Sequence, residues 1–325
     1  MKQKKRDQHY VFQAYLNKWT GENKKLWCLR DKEIFEVKPK NIAFEKDFYR
    51  ISSLSDKEIE FLKLFFRKTG DGFKKEMDHF IELYTTFDEN ERFFNFVRTL
   101  LPAECPEADS AMDDIDSMLD IARNNILEDT YAEFEGEAVV WLNSLCEENL
   151  DFFYNPTDNQ KERFISFICI QYSKTKRMKD SIISVLKEAE EYFVNESFPK
   201  GSIRANNLWL PMLWLLSAQF ADALLQAQLT LLINSTEIPF VTSDQPVINT
   251  KADYADLSQQ PTELVFYYPI SPRIAILLNN NSEETRKVLS CELKVQEYND
   301  LIAKASYKML FASKSTALEG YQNQS

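Results

Sequence analysis

The 325-residue chain is poor in glycine, with only six. It contains no GxGxxG, no GxxxxGK[ST] and no GxSxG, so the usual signatures of dinucleotide folds, P-loops and hydrolase elbows are missing. It has two histidines, His9 and His79, and no Cys/His cluster. Its five cysteines (Cys28, Cys105, Cys146, Cys169 and Cys291) are scattered and odd in number, with no CxxC. That pattern reads as reduced thiols of a cytoplasmic protein. The basic start, Lys2 to Arg6, leads into no apolar run, which excludes a secretory signal there. The most apolar stretch, 208–233, is broken by Pro211, Gln219, Asp222, Gln226 and Gln228, so a buried central helix is expected and no membrane span.

What is present is an aromatic-rich globular composition, 44% apolar and 13% aromatic, at a length that can bury a large core. The net charge of −12 is uneven. Residues 104–151 hold fifteen acidic side chains and one basic one, Arg123, for a local −14 that leaves +2 for the rest. This reads as a solvated acidic helical face, or a wall that repels polyanions on that side. Global acidity does not exclude nucleic acid, because recognition depends on local patches.

Tyr10, Val11, Tyr15, Leu16 and Trp19 are spaced for a short half-buried helix, with His9 just before it as a capping or catalytic imidazole. Leu26–Leu29 and Ile34–Val37 flank a polar Asp31-Lys32 turn and predict a hairpin. Ile42–Phe44 and Phe48–Ile51 read as short extended pieces. From Ser55 the period becomes helical. Ser55-Asp56-Lys57-Glu58 is a capping box, with Gly70 as a stop. Core-facing stripes follow at Phe73–Tyr84, at Phe93–Leu101 ending at Pro102, at Met112–Ile126 and over roughly 128–146. Thr157–Gln160 is a second capping box, opening a helix whose face runs Phe164, Phe167, Ile168, Gln171, Thr175 and Met178. Gln171 and Thr175 interrupt that apolar face, so each needs a hydrogen-bonding neighbour or a ligand. Lys174, Lys176, Arg177 and Lys179 form a basic cluster at its end.

Phe240–Ile248 predicts two short strands meeting at a Ser243-Asp244-Gln245-Pro246 corner that presents one carboxylate. Leu264–Tyr268 and Arg273–Leu278 read as an antiparallel pair, 282–292 and 295–304 as helices, 307–311 as a last strand, and the tail as frayed. β signals at both ends and helices between them predict one α+β domain, mostly helical. Its small mixed or antiparallel sheet is built from N- and C-terminal strands packed on a helical body of about eight helices. The segments are 8–52 (β), 55–235 (helical), 238–312 (β/α) and a tail from 313. This arrangement predicts that His9 and Asp244 lie close together.

Gln8-His9-Tyr10-Val11 with Tyr15-Leu16, Phe48-Tyr49, Glu135 ahead of Ala138, Gln171 with Thr175, Ser243-Asp244-x-Pro246-Val247 and Asn299 after Pro269–Pro272 occur in an order that resembles the bacterial domain-of-unknown-function 4238 family. The likeness runs from residue 8 to about 312. Phe12, Lys174 and Gln245 stand where proline, arginine and asparagine are usual, and a lysine cannot make a planar bidentate contact. The resemblance implies that His9, Glu135, Gln171, Lys174 and Asp244 converge. One reading makes His9, Glu135 and Asp244 a catalytic set, binding a divalent metal such as Mg²⁺ or Mn²⁺ or acting as acid and base. Gln171, Lys174, Thr175 and Asn299 would then hold substrate, as in a phosphodiester hydrolase, a nuclease-like toxin or a phage-defence effector. The other makes the same residues a non-catalytic cleft for a nucleotide, a nucleic acid or a partner, or a structural network.

Overall fold

The computed structural model describes residues 3–66, 74–101, 106–193, 198–254 and 261–323. Gly70, Phe73, Pro102 and Cys105 lie outside the described residues, as do the side chains of Phe66, Met77 and His79. The protein is α+β and mostly helical. It divides into two compact units. One comprises 1–8, 45–132 and 182–215, and the other 9–44, 133–181 and 216–325.

The first unit is helical. Asp56–Phe66 opens with the expected capping box: the Ser55 N–H donates to Glu58 Oε2 (2.7 Å) and the Glu58 N–H to Ser55 Oγ (3.2 Å). Burial alone would push the Glu58 acid up. The Arg204 guanidinium and the backbone donors outweigh it and hold the acid below its ordinary value. Two pairs of expected helices are single helices. Lys74–Leu100 has no Gly or Pro inside it, and Gly136 does not interrupt Pro106–Cys146. The expectation that Phe93 faces the core fails, since its side chain is exposed. Gln8, fully buried, receives the Tyr49 N–H (2.6 Å) and donates to the Asn124 carbonyl (2.7 Å). Tyr131 stacks on Trp214 at 5.8 Å and meets Tyr49 edge-on at 4.7 Å.

The second unit holds two sheets. In the four-stranded sheet the order is Glu33–Val37, Leu26–Arg30, Leu310–Ala312, Thr242–Ser243, all antiparallel. N-terminal and C-terminal strands therefore share a sheet, as the ends of the sequence predict, and Leu310 lies between Leu29 and Ser243. The hairpin turns at Asp31 and Lys32, both at positive φ (52° and 66°), the backbone that a tight two-residue hairpin demands. The five-stranded sheet runs Arg286–Leu289, Gln228–Asn234, Ile274–Asn279, Phe266–Pro269, Ile248–Asn249, with only the first pair parallel.

Three expectations about this half of the chain need correction. The apolar run expected as one helix to residue 233 is a helix, Ala205–Ala223, and then the strand Gln228–Asn234. Leucine-rich runs are ambiguous by period alone. Here pairing of Leu231 with Ile276 decides, and Asn280 Nδ2 caps the Ala223 carbonyl at 3.0 Å. The expected helix over 282–292 is instead the edge strand Arg286–Leu289, aligned by distant Leu231–Asn234. The tail is docked at least to Tyr321, whose ring is buried and whose hydroxyl lies 2.8 Å from Asp300 Oδ1.

Residues 10–19 give a short helix, Gln13–Leu16, and a 3-10 turn, Asn17–Trp19. Both present Tyr15, Leu16 and Trp19 to the core. The Tyr15 hydroxyl donates to the Pro269 carbonyl (2.7 Å) and shares a 2.5 Å hydrogen bond with Thr242 Oγ1, so one buried side chain ties the two sheets together. Tyr15→Phe removes both bonds and leaves two buried oxygens short of a partner. A destabilisation of about 1–3 kcal/mol is expected, read as a lower urea midpoint with an unchanged slope.

Candidate functional site

Glu135, Gln171 and Lys174 do converge. Helix Gln160–Ser173 places Gln171 and Lys174 one turn apart, and Lys174 ends it with its N–H on the Ile170 carbonyl (2.8 Å). The Lys174 ammonium, 1% exposed, pairs with Glu135 Oε1, and Gln171 Nε2 donates to the same oxygen at 3.4 Å. Burial first, then Tyr15 and the Glu135 charge, push the Tyr268 hydroxyl well above its ordinary value. It stays a neutral phenol beside this pair. The cluster is a charge pair held inside the protein, where attraction must offset the loss of water from both ions.

Thr175 sits in the break between helix Gln160–Ser173 and helix Lys176–Phe193. Its Oγ1 contacts Gln245 Oε1 at 2.5 Å and accepts the Met178 N–H at 3.4 Å, which caps the second helix. Gln245 Nε2 donates to the Tyr172 and Val247 carbonyls (2.8 and 2.9 Å). Asn299, on helix Glu292–Ala305, donates to the Pro239 carbonyl (3.0 Å) and accepts the Val241 N–H (2.9 Å). His9 is half-buried, with Phe44 5.3 Å from its ring. The Gln13 amide lies 2.9 Å from its Nδ1.

Asp244 is 1% exposed. Its Oδ1 accepts the Tyr307 N–H and its Oδ2 the Lys308 N–H, both at 2.8 Å, while its own N–H donates to the Met309 carbonyl at 3.0 Å. The corner therefore fixes the 305–309 segment as well as turning the chain. Among the described residues, no three His, Cys, Asp or Glu side chains gather as a metal ion needs. His9, Glu135 and Asp244 do not form such a group.

Beside this corner lies a groove that sequence reasoning missed, about 930 Å³ in volume. One wall is the hairpin tip with Arg30 and Lys32, the other is the 303–310 segment with Lys304, Tyr307 and Lys308, and Tyr321 contributes to the lining. All four cationic side chains are exposed. Asp31 is the one acid in the lining and lies 3.8 Å from Arg30 Nε. The segment carrying Lys308 is held from several sides. Asp244 binds its backbone, Arg177 Nη1 donates to the Ser306 carbonyl (3.1 Å), and the Tyr307 hydroxyl donates to Asp180 Oδ2 (2.8 Å). The only advance signal was composition: the chain outside 104–151 is slightly basic despite the net −12.

A family model described as a protein of unknown function (DUF4238) matches residues 7–316. The chain belongs to this family. No curated protein and no solved structure matches it. In this DUF4238 chain the residues that carried the resemblance resolve into separate roles. Gln8 links two backbone segments, Glu135 pairs with Lys174, Thr175 meets Gln245, and Asn299 and Asp244 each bind backbone. Among the described residues no helix is long and apolar enough to cross a membrane.

Two expectations follow. Lys174→Met leaves the part-buried Glu135 carboxylate without its cation and is expected to cost about 3 kcal/mol, whereas Lys174→Met with Glu135→Leu recovers most of that stability in chemical denaturation. For Asp244, burial raises the acid to about 6 against an ordinary 3.8, even though backbone N–H groups pull it down. An acid raised on folding makes the folded state take up the proton first. This group's contribution to stability therefore grows as pH falls from about 6 towards 4, opposite in sign to ordinary acid destabilisation. Carboxyl-carbon NMR titration is expected to give a midpoint near 6, and a midpoint at or below 4 contradicts the assignment.

Proposed function

We propose that this protein binds a phosphate-bearing ligand, a nucleotide or a nucleic acid, in the groove between the 30–32 hairpin tip and the 303–310 segment. One observation carries the reading. Arg30, Lys32, Lys304 and Lys308 surround a single groove with one acid, Asp31, on a chain whose net charge is −12. Cations concentrated against the overall charge form a local electrostatic footprint for polyanions. The segment that carries two of them is fixed before any ligand arrives, which lowers the ordering cost of binding.

Binding is favoured over hydrolysis because both Asp244 oxygens are engaged by backbone N–H groups. On this reading Asp244 is a positioning residue, and Gln171, Lys174, Thr175 and Asn299 form the supporting network. We also take the protein as cytoplasmic, since the described cysteines Cys28, Cys146, Cys169 and Cys291 are free thiols.

The test uses a fluorescent single-stranded oligonucleotide and ATP, each with Mg²⁺ or Mn²⁺, followed by anisotropy, thermal shift and product analysis. The expected result is binding without products, weakened about tenfold or more in Lys304→Glu with Lys308→Glu. The salt slope of the variant should be shallower by about 1 for each phosphate it no longer neutralises. Equal affinity in wild type and variant overturns the groove. Cleavage products that disappear in Asp244→Asn restore the phosphodiester hydrolase.

A further inference from the structure

The phosphate groove contains an aromatic side chain that a site built on charge alone does not need. Tyr307 lines it and is half-buried, on the segment that also carries Lys304 and Lys308. The Lys308 ammonium stands over the Tyr307 ring, 5.4 Å from its centroid, so a groove-lining side chain already reaches a face of that ring. The ring is held at both ends. The Tyr307 N–H donates to Asp244 Oδ1 and the hydroxyl to Asp180 Oδ2, each at 2.8 Å. The other Asp180 oxygen accepts the Lys176 ammonium at 3.1 Å, which holds this carboxylate in place. A tyrosine has two side-chain torsions, and fixing both ends leaves the plane of the ring little freedom. The bond to Asp180 first, and then burial, raise the phenol above its ordinary value, so a neutral ring stands among the cations.

Inorganic phosphate, polyphosphate and the backbone of a duplex need only cations. An aromatic ring fixed beside cations offers more: a π face on which a base stacks while the attached phosphate is neutralised nearby. A base inside a duplex is already stacked on its neighbours and does not present that face. On the other wall the Arg30 guanidinium lies over the Phe35 ring, 5.3 Å from its centroid, which holds that charge in one place. Stacking surface and cations are thus both set before a ligand arrives, which lowers the ordering cost of binding.

We propose that the groove takes an unpaired nucleotide, with its base on the Tyr307 ring and its phosphates on Arg30, Lys32, Lys304 and Lys308. This rests on the phosphate reading of the same groove and narrows the ligand. A single strand and a free nucleotide share this chemistry.

The test titrates the full chain into a labelled oligo-dT of about eight nucleotides, and into an abasic strand of the same length and charge, at roughly physiological salt. Wild type is expected to bind oligo-dT about tenfold more tightly than the abasic strand. Tyr307→Ala should remove most of that ratio. Tyr307→Phe, which keeps the ring and loses the bond to Asp180, should retain it. The ratio reads the base and the abasic affinity reads the phosphates, so a variant that merely loosens the segment lowers both affinities together. Equal wild-type affinity for the two strands, or an unchanged ratio in Tyr307→Ala, overturns the base contact and leaves the phosphate groove standing. A ratio lost as fully in Tyr307→Phe as in Tyr307→Ala assigns the effect to the Asp180 bond and overturns the base contact equally. Binding of neither strand overturns the groove and the base contact together. With the expected ratio in place, ATP as competitor separates the two sources. Displacement of oligo-dT at about micromolar ATP assigns the site to the free nucleotide, and at about millimolar ATP to the strand, and each supports the base on Tyr307.

Discussion

One carboxylate orders the second unit. Asp244 is buried, and an isolated buried carboxylate costs several kcal/mol unless donors replace its water. Here the donors are the N–H groups of Tyr307 and Lys308, sixty-odd residues away in sequence. The geometry is specific in both directions. The carboxylate is tolerable where the segment offers two N–H groups, and the carboxylate joins Arg177 and Asp180 in holding the segment. Strand Leu310–Ala312 emerges from this anchor and enters the sheet between Thr242–Ser243 and Leu26–Arg30. The corner, the last strand and the N-terminal hairpin are thus fixed by one set of bonds.

The groove is a consequence of that arrangement. Pairing Leu310 with Leu29 carries the hairpin tip alongside the 303–310 segment, so cations far apart in the chain face one space. Two of them sit at an Asp31-Lys32 turn whose positive φ values leave the side chains at the tip exposed. The other two flank the Asp244 anchor and the hydrogen bond from Arg177 to the Ser306 carbonyl. A site built this way keeps its charges in water and its supports buried. The pair of buried Lys174 and part-buried Glu135 serves a different purpose, fixing helix Gln160–Ser173 at the break where Thr175 starts the next helix.

Parts of this were legible in the residues. The Ser55–Glu58 capping box, the hairpin around Asp31-Lys32 and the need of Gln171 and Thr175 for polar neighbours each follow from chemistry within a few positions, and each is present. Convergence was legible for Glu135, Gln171 and Lys174. His9 and Asn299 read as site residues through the family resemblance, in the order their motifs take along the chain. In the structure the His9 ring meets Gln13, and Asn299 binds the backbone near Val241. The basic groove had no local signature, since Arg30, Lys32, Lys304 and Lys308 form neither a run nor a repeat.

The sequence by itself determined the α+β class, the membership of strands from both ends in one sheet, and the local caps and turns. Their causes act over a turn of helix or the span of a hairpin, where side-chain type suffices. Tertiary structure alone decided that residues 228–234 extend as a strand rather than continue a helix. It alone turned the Asp244 carboxylate towards the 307–308 backbone and brought four scattered cations around one groove. Those outcomes depend on which distant segment supplies the hydrogen bonds, and a linear pattern does not encode the partner of a buried polar group.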